Sequence, residues 1–385
     1  MKQWKNSATL ILAAGKRFAG AGHNHKQLKL LDDGTMNRLA LPPSVMKSVG
    51  GQEYMGSNYK VLMLKRSSKS SFMPNAHVFP GGVIDRADYS DEWLDVLDTN
   101  LFSSLTAGIN GPRPPSTLYE SKTGIPPDVA FRICAVRETF EETGILISRG
   151  QSSNGAPVLM KEDDIIKWRM RVTEDAAQFV RMCRAFKIVP NIWELYEWAN
   201  WLTPSTDKVK RGNRRRYNTM FYIACMESII DAFHDDKETV SSKWYAPVKG
   251  LSEHWMSNVW LAPPQFYEIS RLANFPDLSE LKSFAIERQK KGCTCSYPVM
   301  IELNDCVISV LKGDDLYPEE PDLHNQPVLS IDTTTSESLS SSKNLNRLEF
   351  VGMPHQCVTS NVDICGHPAI PSFLRKCRNA LHSKL

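Results

Sequence analysis

The spacing of apolar and polar residues along the chain predicts both strands and helices. Short apolar runs predict strands over residues 7–14, 59–64 and 217–225. Apolar residues at helical spacing predict a helix over 128–144 and further helices within 161–203 and 260–291. One more helix is expected over 87–105, in a segment that continues as a Gly- and Pro-rich loop. The pattern therefore predicts a mixed α/β protein.

Signals at both ends support the helix predicted over 128–144. Pro126 and Pro127 precede it, and Asp128 offers an acceptor for its first turn. Gly144 is the residue type that most often ends a helix. This helix is the most strongly predicted element of the chain.

Three carboxylates fall on one side of this helix. Residues three and four apart are neighbours on a helix surface, so Glu138, Glu141 and Glu142 occupy one narrow arc. Arg137 alone does not offset three negative charges. Two interpretations follow, a solvated acidic face or a site for a divalent cation such as Mg²⁺ or Mn²⁺, which prefers oxygen ligands.

Composition narrows the classes of function. The 385 residues are 42% hydrophobic, which is enough for a sizeable core, and the net charge is only +3. Such a charge gives no general reason to expect a nucleic-acid partner, and no apolar run approaches the roughly 20 residues of a membrane span. Nine cysteines at irregular spacing, with no secretory signal, predict reduced thiols in an intracellular compartment.

The residues around the acidic helix resemble the signature of the Nudix hydrolases, G-x5-E-x7-R-E-U-x-E-E-x-G-U. The run from Arg137 to Ile145, R-E-T-F-E-E-T-G-I, is similar to its second half. Upstream, Phe79-Pro80-Gly81-Gly82 resembles the first half in the form found in coenzyme A diphosphatases. Gly82 and Arg137 are 55 positions apart instead of 14, and Val129 stands where the first glutamate is expected. The peroxisomal branch of these diphosphatases carries an insertion at this point.

The resemblance implies a Nudix α/β/α sandwich around a mixed β-sheet, over residues 1–305. It also implies an insertion inside the box at 83–127 and a helical insertion at 161–205. The implied reaction is hydrolysis of the diphosphate bond of coenzyme A or acyl-coenzyme A, which gives 3′,5′-ADP and 4′-phosphopantetheine or its acyl form. Arg137, Glu138, Glu141 and Glu142 would be catalytic, with the three glutamates on Mg²⁺ or Mn²⁺.

Two other functions stay open beside this one. The chain could act on another nucleoside diphosphate derivative, or it could be a catalytically silent Nudix module that binds nucleotides. A weaker resemblance links Leu12-Ala13-Ala14-Gly15 to the L-A-A-G-x-G-x-R opening of nucleotidyltransferases. The second glycine of that pattern is absent, so a strand followed by a turn is the favoured interpretation.

Several residues outside the helix are candidates for binding the substrate. Glycine lets the backbone approach a ligand closely, and guanidinium groups suit phosphates, of which coenzyme A has a third at its 3′ position. A solvated loop is nevertheless the more frequent role of an arginine run. The candidates are Gly81, Gly82, Arg66, Arg214, Arg215 and Arg216.

The last part of the chain, 306–385, is predicted to be a partly disordered tail. Its stretch 325–345 is of low complexity, and the residues 332–343 within it, rich in Ser and Thr, are expected to be disordered. Ser383-Lys384-Leu385 matches the S-K-L tripeptide that the peroxisomal import receptor binds. The sequence therefore predicts a peroxisomal location.

Overall fold

A mixed eight-stranded sheet forms the centre of the molecule. The computed structural model describes residues 4–15, 56–70, 72–149, 160–205, 215–230, 239–350, 356–372 and 374. Predictions on Arg214 and on Ser383, Lys384 and Leu385 fall outside these ranges. The strands of the sheet are β1 (Lys5–Gly15), β2 (Tyr59–Arg66), β3 (His77–Val78), β4 (Gly81–Val83), β7 (Tyr196–Leu202), β8 (Tyr217–Met226), β9 (Thr239–Tyr245) and β10 (Cys295–Ser296).

The order of the strands is β10-β7-β8-β1-β2-β3, with β4 paired to β1 and β9 paired to β2. β1 runs parallel to β8 and antiparallel to β2 and β4. β1 is central because its first half pairs with β4 and its second half with β2, while β8 covers its other edge along its length. Two further strands, β5 (Ser148–Arg149) and β6 (Val189–Pro190), pair with each other.

Helices cover both faces of this sheet. They are α1 (Pro127–Thr143), α2 (Glu162–Glu174), α3 (Gln178–Phe186), α4 (Pro247–Trp255), α5 (Pro263–Leu272) and α6 (Leu278–Gln289). Alternate residues of β1 belong to different cores: Leu10 packs with α1 and α3, and Ile11 packs with α4, α5 and α6. This two-sided burial explains the continuous apolar run in β1, and the predicted α/β/α arrangement is confirmed. No helix within the described ranges combines the length and apolar character of a membrane span.

The insertion at 83–127 contains short 3-10 helices where one longer helix was predicted over 87–105. They span Arg86–Tyr89, Asp91–Asp95, Thr99–Leu105 and Pro115–Thr117. Asp85, Ser90 and Asp98 each accept a backbone amide at the start of a helix. The prediction of one helix was wrong because these repeated caps restart the helix and prevent its continuation.

The predicted helical insertion at 161–205 is α-helical only as far as Phe186, and a short 3-10 helix follows at Ile192–Glu194. The aromatic segment that follows is strand β7, in which Trp198 and Trp201 point to the same side and donate hydrogen bonds to Glu268, both at 2.8 Å. A β-bulge between Glu197 and Ala199 shifts the register of the strand. The bulge places residues three apart on one face, which imitates the spacing of a helix.

The chain ends in a second sheet where a disordered tail was predicted. The strands are β11 (Val299–Glu302), β12 (Val307–Val310), β13 (Leu329–Ser330), β14 (Asn346–Phe350) and β15 (Gln356–Ser360). Their order in the sheet is β13-β11-β12-β14-β15, and a helix, α7 (Thr335–Ser341), lies in the serine-rich stretch.

The prediction of disorder over 332–343 was wrong because hydroxyl groups of this segment form hydrogen bonds. Arg347 and Asp314 form a fully buried ion pair, with Nη2–Oδ1 at 2.6 Å. Ser338 Oγ accepts a third bond from Arg347 at 2.7 Å, and Thr334 caps α7 through Glu337. The polar side chains of this segment therefore hydrogen-bond to the buried Arg347 and cap a helix, and they do not indicate disorder.

Candidate active site

The acidic helix predicted over 128–144 is α1, and it ends as predicted. Gly144 adopts a left-handed conformation with φ of 73° and donates to the Phe140 carbonyl at 2.8 Å. Its start differs, because Pro126 occupies the cap without a side-chain hydrogen bond. Asp128 is buried and bonds to Arg113 and Arg132, so it serves an ion pair and not the helix cap.

Arg137 is the centre of the site. Its Nη1 donates to Glu138 Oε1 at 3.0 Å and to Glu141 Oε1 at 2.6 Å. Its Nε and Nη2 bind both oxygens of Asp88, at 2.8 and 2.9 Å. The Arg137 side chain is buried. One guanidinium group therefore holds two carboxylates of its own helix and one from the insertion.

Asp88 belongs to this cluster, although the sequence pattern did not predict it. It stands six positions after Gly82, where the G-x5-E spacing places its acidic residue, and it is 1% exposed. Counting backwards from Arg137 led to Val129, which packs in the hydrophobic core. Counting forwards from Gly82 would have found it, because the extra residues lie after Asp88. The first acidic residue of the box is therefore present as an aspartate.

The two glycines of the box contact the acidic side chains directly. The Gly81 amide donates to Glu142 Oε2 at 2.9 Å. A Cβ atom on Gly82 would lie 2.4 to 2.5 Å from the carboxylate atoms of Glu138. Gly82 can approach α1 this closely only because it lacks a side chain, whereas a Cβ atom on Gly81 would lie 2.4 Å from the Ala8 carbonyl oxygen of β1.

The charge of the site is unbalanced. Burial, followed by the neighbouring Glu138 carboxylate, raises the pKa of Glu141 to about 8, although Arg137 acts in the opposite direction. Glu142 is also buried. A divalent cation would offset this excess of negative charge, and carboxylate oxygens are its preferred ligands, so the donor set fits Mg²⁺ or Mn²⁺.

The three glutamates are not gathered around one point. Glu138 and Glu141 both form ion pairs with Arg137, whereas Glu142 accepts a hydrogen bond from the Gly81 amide. Among the residues that the structure describes, no group of three or more His, Cys, Asp and Glu side chains forms a ready metal centre. The predicted convergence is thus seen for two of the three carboxylates.

The predicted phosphate-binding arginines have different environments. Arg216 is buried, and its Nε and Nη2 donate to the carbonyls of Thr203 and Leu323, at 2.9 and 2.8 Å. Its guanidinium joins the end of β7 to the segment between β12 and β13 of the second sheet, so the structure gives it a structural role in place of the predicted one. Arg66 donates to Ser70 Oγ in the turn after β2, and Arg215 is exposed.

The end of the insertion enters a buried ionic cluster beside α1. Arg113 Nη2 lies 2.6 Å from Asp128 Oδ1 and 2.5 Å from Glu197 Oε1. Arg132 is the second cation of the cluster. Neither carboxylate is accessible enough to be hydrated, so both depend on these guanidinium groups.

Backbone contacts hold the same end of the insertion against the turn after α6. The Asn110 amide donates to Lys290 at 2.8 Å, and the Cys293 amide donates to Pro112 at 2.7 Å. A Cβ atom on Gly111 would lie 1.8 Å from the Lys291 carbonyl oxygen. The insertion is thus an integral part of the fold on this side of the sheet.

Comparison with protein-family models matches two parts of the chain. The model described as the NUDT19 Nudix domain matches residues 4–272, and the model described as the NUDT19 C-terminal domain matches residues 300–361. The chain belongs to the NUDT19 family of Nudix hydrolases. Nudix hydrolases generally use divalent metal ions. The alternative resemblance to nucleotidyltransferases does not hold, since Leu12 to Gly15 form the buried end of β1 in the Nudix sheet.

Curated relatives of this family cover most of the chain. The acyl-coenzyme A diphosphatase NUDT19 of Xenopus laevis is 37% identical over 91% of both chains. That of Gallus gallus is 40% identical over 72% of this chain and 77% of its own. Among solved structures, a Nudix hydrolase from Alicyclobacillus acidocaldarius covers 73% of this chain and 96% of its own, with 16% identity and a TM-score of 0.46.

Substitution Gly82→Ala is expected to lower activity by about tenfold without unfolding this NUDT19-family protein, because the new methyl group displaces the Glu138 carboxylate. The carboxylate is the far end of a flexible side chain, so the fold can accommodate the change. Steady-state kinetics and circular dichroism would measure both effects. Gly250→Ala is the matched control, since its Cβ would meet Tyr245 at an ordinary 3.6 Å. Equal activity of the two variants would contradict the placement of Glu138.

Proposed function

We propose that the protein hydrolyses the diphosphate bond of acyl-coenzyme A or coenzyme A. The products are 3′,5′-ADP and acyl-4′-phosphopantetheine or 4′-phosphopantetheine. The observation that carries the proposal is the cluster in which Arg137 binds Asp88, Glu138 and Glu141 beside Gly81 and Gly82 of β4. The name of the curated relatives, acyl-coenzyme A diphosphatase, supports the choice of substrate.

In this proposal Glu138, Glu141 and Glu142 hold Mg²⁺ or Mn²⁺. A divalent cation, when bound, supplies positive charge that offsets the diphosphate and acidifies the attacking water. Arg137 keeps Glu138 and Glu141 within reach of each other, and Asp88 fixes the orientation of Arg137 through two parallel bonds. The Gly81 amide sets the position of Glu142. Which glutamate accepts the proton of the water is left to mutagenesis.

The substrate itself is tested by comparing related diphosphates. The purified protein is incubated with coenzyme A, an acyl-coenzyme A, ADP-ribose and NADH, and the products are separated by chromatography. We expect 3′,5′-ADP from both coenzyme A substrates and at most slow turnover of the other two. Chelation with EDTA should abolish the reaction, and added Mg²⁺ or Mn²⁺ should restore it.

Two results would overturn the proposal. Faster hydrolysis of ADP-ribose or NADH than of coenzyme A would favour a different nucleoside diphosphate derivative. No hydrolysis of any substrate, by a protein that binds the nucleotides, would favour a silent Nudix module. A silent module would be expected to lack an acidic residue of the box. Asp88 supplies that residue here, which favours an active enzyme.

Arg66 and Arg215 remain our candidates for the 3′-phosphate of coenzyme A, together with Arg214. Arg215 is exposed and lies two residues before the start of β8, and Arg66 ends β2. A guanidinium bond to a phosphate contributes roughly 1.5 to 3 kcal/mol, which is about ten- to a hundredfold in affinity. The test is to measure the catalytic efficiency of the Arg66→Met and Arg215→Met variants on coenzyme A and on dephospho-coenzyme A. The arginine that binds the 3′-phosphate is the one whose loss removes the preference for coenzyme A.

We also propose that Ser383-Lys384-Leu385 directs the protein to peroxisomes by binding the import receptor. Deletion of the three residues is expected to leave hydrolysis unchanged. A fluorescent fusion at the N-terminus, which keeps the native C-terminus exposed, should colocalise with a peroxisomal marker. A diffuse cytosolic signal from that fusion would disprove the targeting role.

A further inference from the structure

Arg169 is a buried cation on a helix that exposes apolar residues. Every residue of α2 is described, and of these only Arg169 and Val172 are buried. Ile166 and Met170, on the same helix, are 46% and 59% exposed. A surface helix ordinarily turns its guanidinium groups to water. Ile165, Trp168 and Val172 of α2 pack against the core in the usual way, so the burial of Arg169 on the same helix requires a contact that compensates for burying the charge.

The compensating contact is with the last turn of α1. Arg169 Nε and Nη2 both donate to the Glu141 carbonyl oxygen, at 3.2 and 3.0 Å. The amide of Ile145, four residues after Glu141, donates to Thr143 Oγ1 at 3.0 Å. The last carbonyl groups of a helix need partners from outside the helix, and Arg169 supplies one for Glu141.

The position of the charge adds to this bond. A cation at the C-terminal end of a helix is stabilised by the helix dipole. The same turn carries Glu141 and Glu142, whose side chains bind on different sides, to Arg137 and to the Gly81 amide. A tilt of this turn would therefore separate the two carboxylates from their partners. Arg169 restrains the backbone from which both side chains extend.

We propose that Arg169 is a positioning residue, which holds the last turn of α1 so that Glu141 and Glu142 are oriented to bind a divalent cation. This rests on the part of the proposed function in which these glutamates hold the metal. Arg169 acts through the backbone of Glu141 and lies outside the Nudix signature, so no motif would identify it.

Direct titration of the purified chain with Mn²⁺, in the absence of substrate, tests the proposal. Arg169→Met should raise the Mn²⁺ dissociation constant by about tenfold, and Arg169→Lys should raise it less because lysine keeps the charge and a donor. Arg171→Met is the matched control, since Arg171 is exposed on the same helix. Its dissociation constant should stay within about twofold of the wild type. Thermal melting of each variant accompanies the titrations.

A wild-type dissociation constant in Arg169→Met would overturn the proposal, even if its melting temperature fell, because the arginine would then only stabilise the fold. If Arg169→Met does not fold, Arg169→Lys decides by the same comparison. Failure of the wild type to bind Mn²⁺ would also overturn it. A wild type that binds Mn²⁺ but does not hydrolyse coenzyme A would overturn the proposed substrate alone, and the titrations would still decide the role of Arg169.

Discussion

Glu141→Gln and Glu142→Gln are each expected to lower the turnover of coenzyme A by about a hundredfold or more, with the fold preserved. Each substitution removes a negative charge and a strong oxygen ligand but keeps the shape of the side chain. Because both residues lie in the last turns of α1 and are little exposed, water cannot replace the lost ligand easily. Steady-state kinetics at saturating Mg²⁺ would measure the loss, and circular dichroism would check the fold.

The control for this experiment is Glu162→Gln, which changes an exposed glutamate in the first turn of α2. It should behave as the wild type. If the acidic arc were only a solvated surface, the two box variants would behave as this control does and would gain slightly in stability from reduced repulsion. Near wild-type turnover in either box variant would therefore refute the assignment of that glutamate as a ligand of the divalent cation.

Arg113→Met is expected to lower the free energy of unfolding by about 3 to 5 kcal/mol, because it leaves Asp128 and Glu197 buried with one cation fewer. Denaturant unfolding followed by circular dichroism would measure the change. Arg86→Met, at an exposed arginine of the same insertion, is the control and should have little effect.

A double variant sharpens this second prediction. Adding Glu197→Gln to Arg113→Met removes one of the two carboxylates that Arg113 neutralises, so part of the lost stability should return. The free energy of unfolding of the double variant is compared with those of the two single variants. If the losses of Arg113→Met and Glu197→Gln simply add in the double variant, the two side chains are not coupled. That result would contradict the ionic cluster as the reason for the insertion's role in the fold.

The predictions for β7, the serine-rich stretch and Arg216 were wrong for one reason, which is that contacts between distant segments decided these structures. The aromatic spacing in β7 imitated a helix because a bulge at Glu197 to Ala199 changes the strand period. The serine-rich stretch imitated disorder because its partner, the Arg347–Asp314 pair, is buried by the second sheet. Arg216 was assigned to a phosphate site by residue type alone, but its Nε and Nη2 donate to the carbonyls of Thr203 and Leu323. None of these partners is adjacent in sequence.

The sequence by itself determined the family, the acidic face of α1 and the positions of three central strands, to within two residues at each end. These features depend on local periods, in which residues three and four apart share a helix face and Gly144 ends the helix. Tertiary structure decided which groups complete the site. Asp88 and Arg137 are 49 residues apart, and Arg169 follows Glu141 by 28. Such pairs depend on how the insertion and α2 fold back onto α1. A charge buried away from water must be paired or hydrogen-bonded, and the spacing of residues along the chain does not specify which distant group becomes its partner.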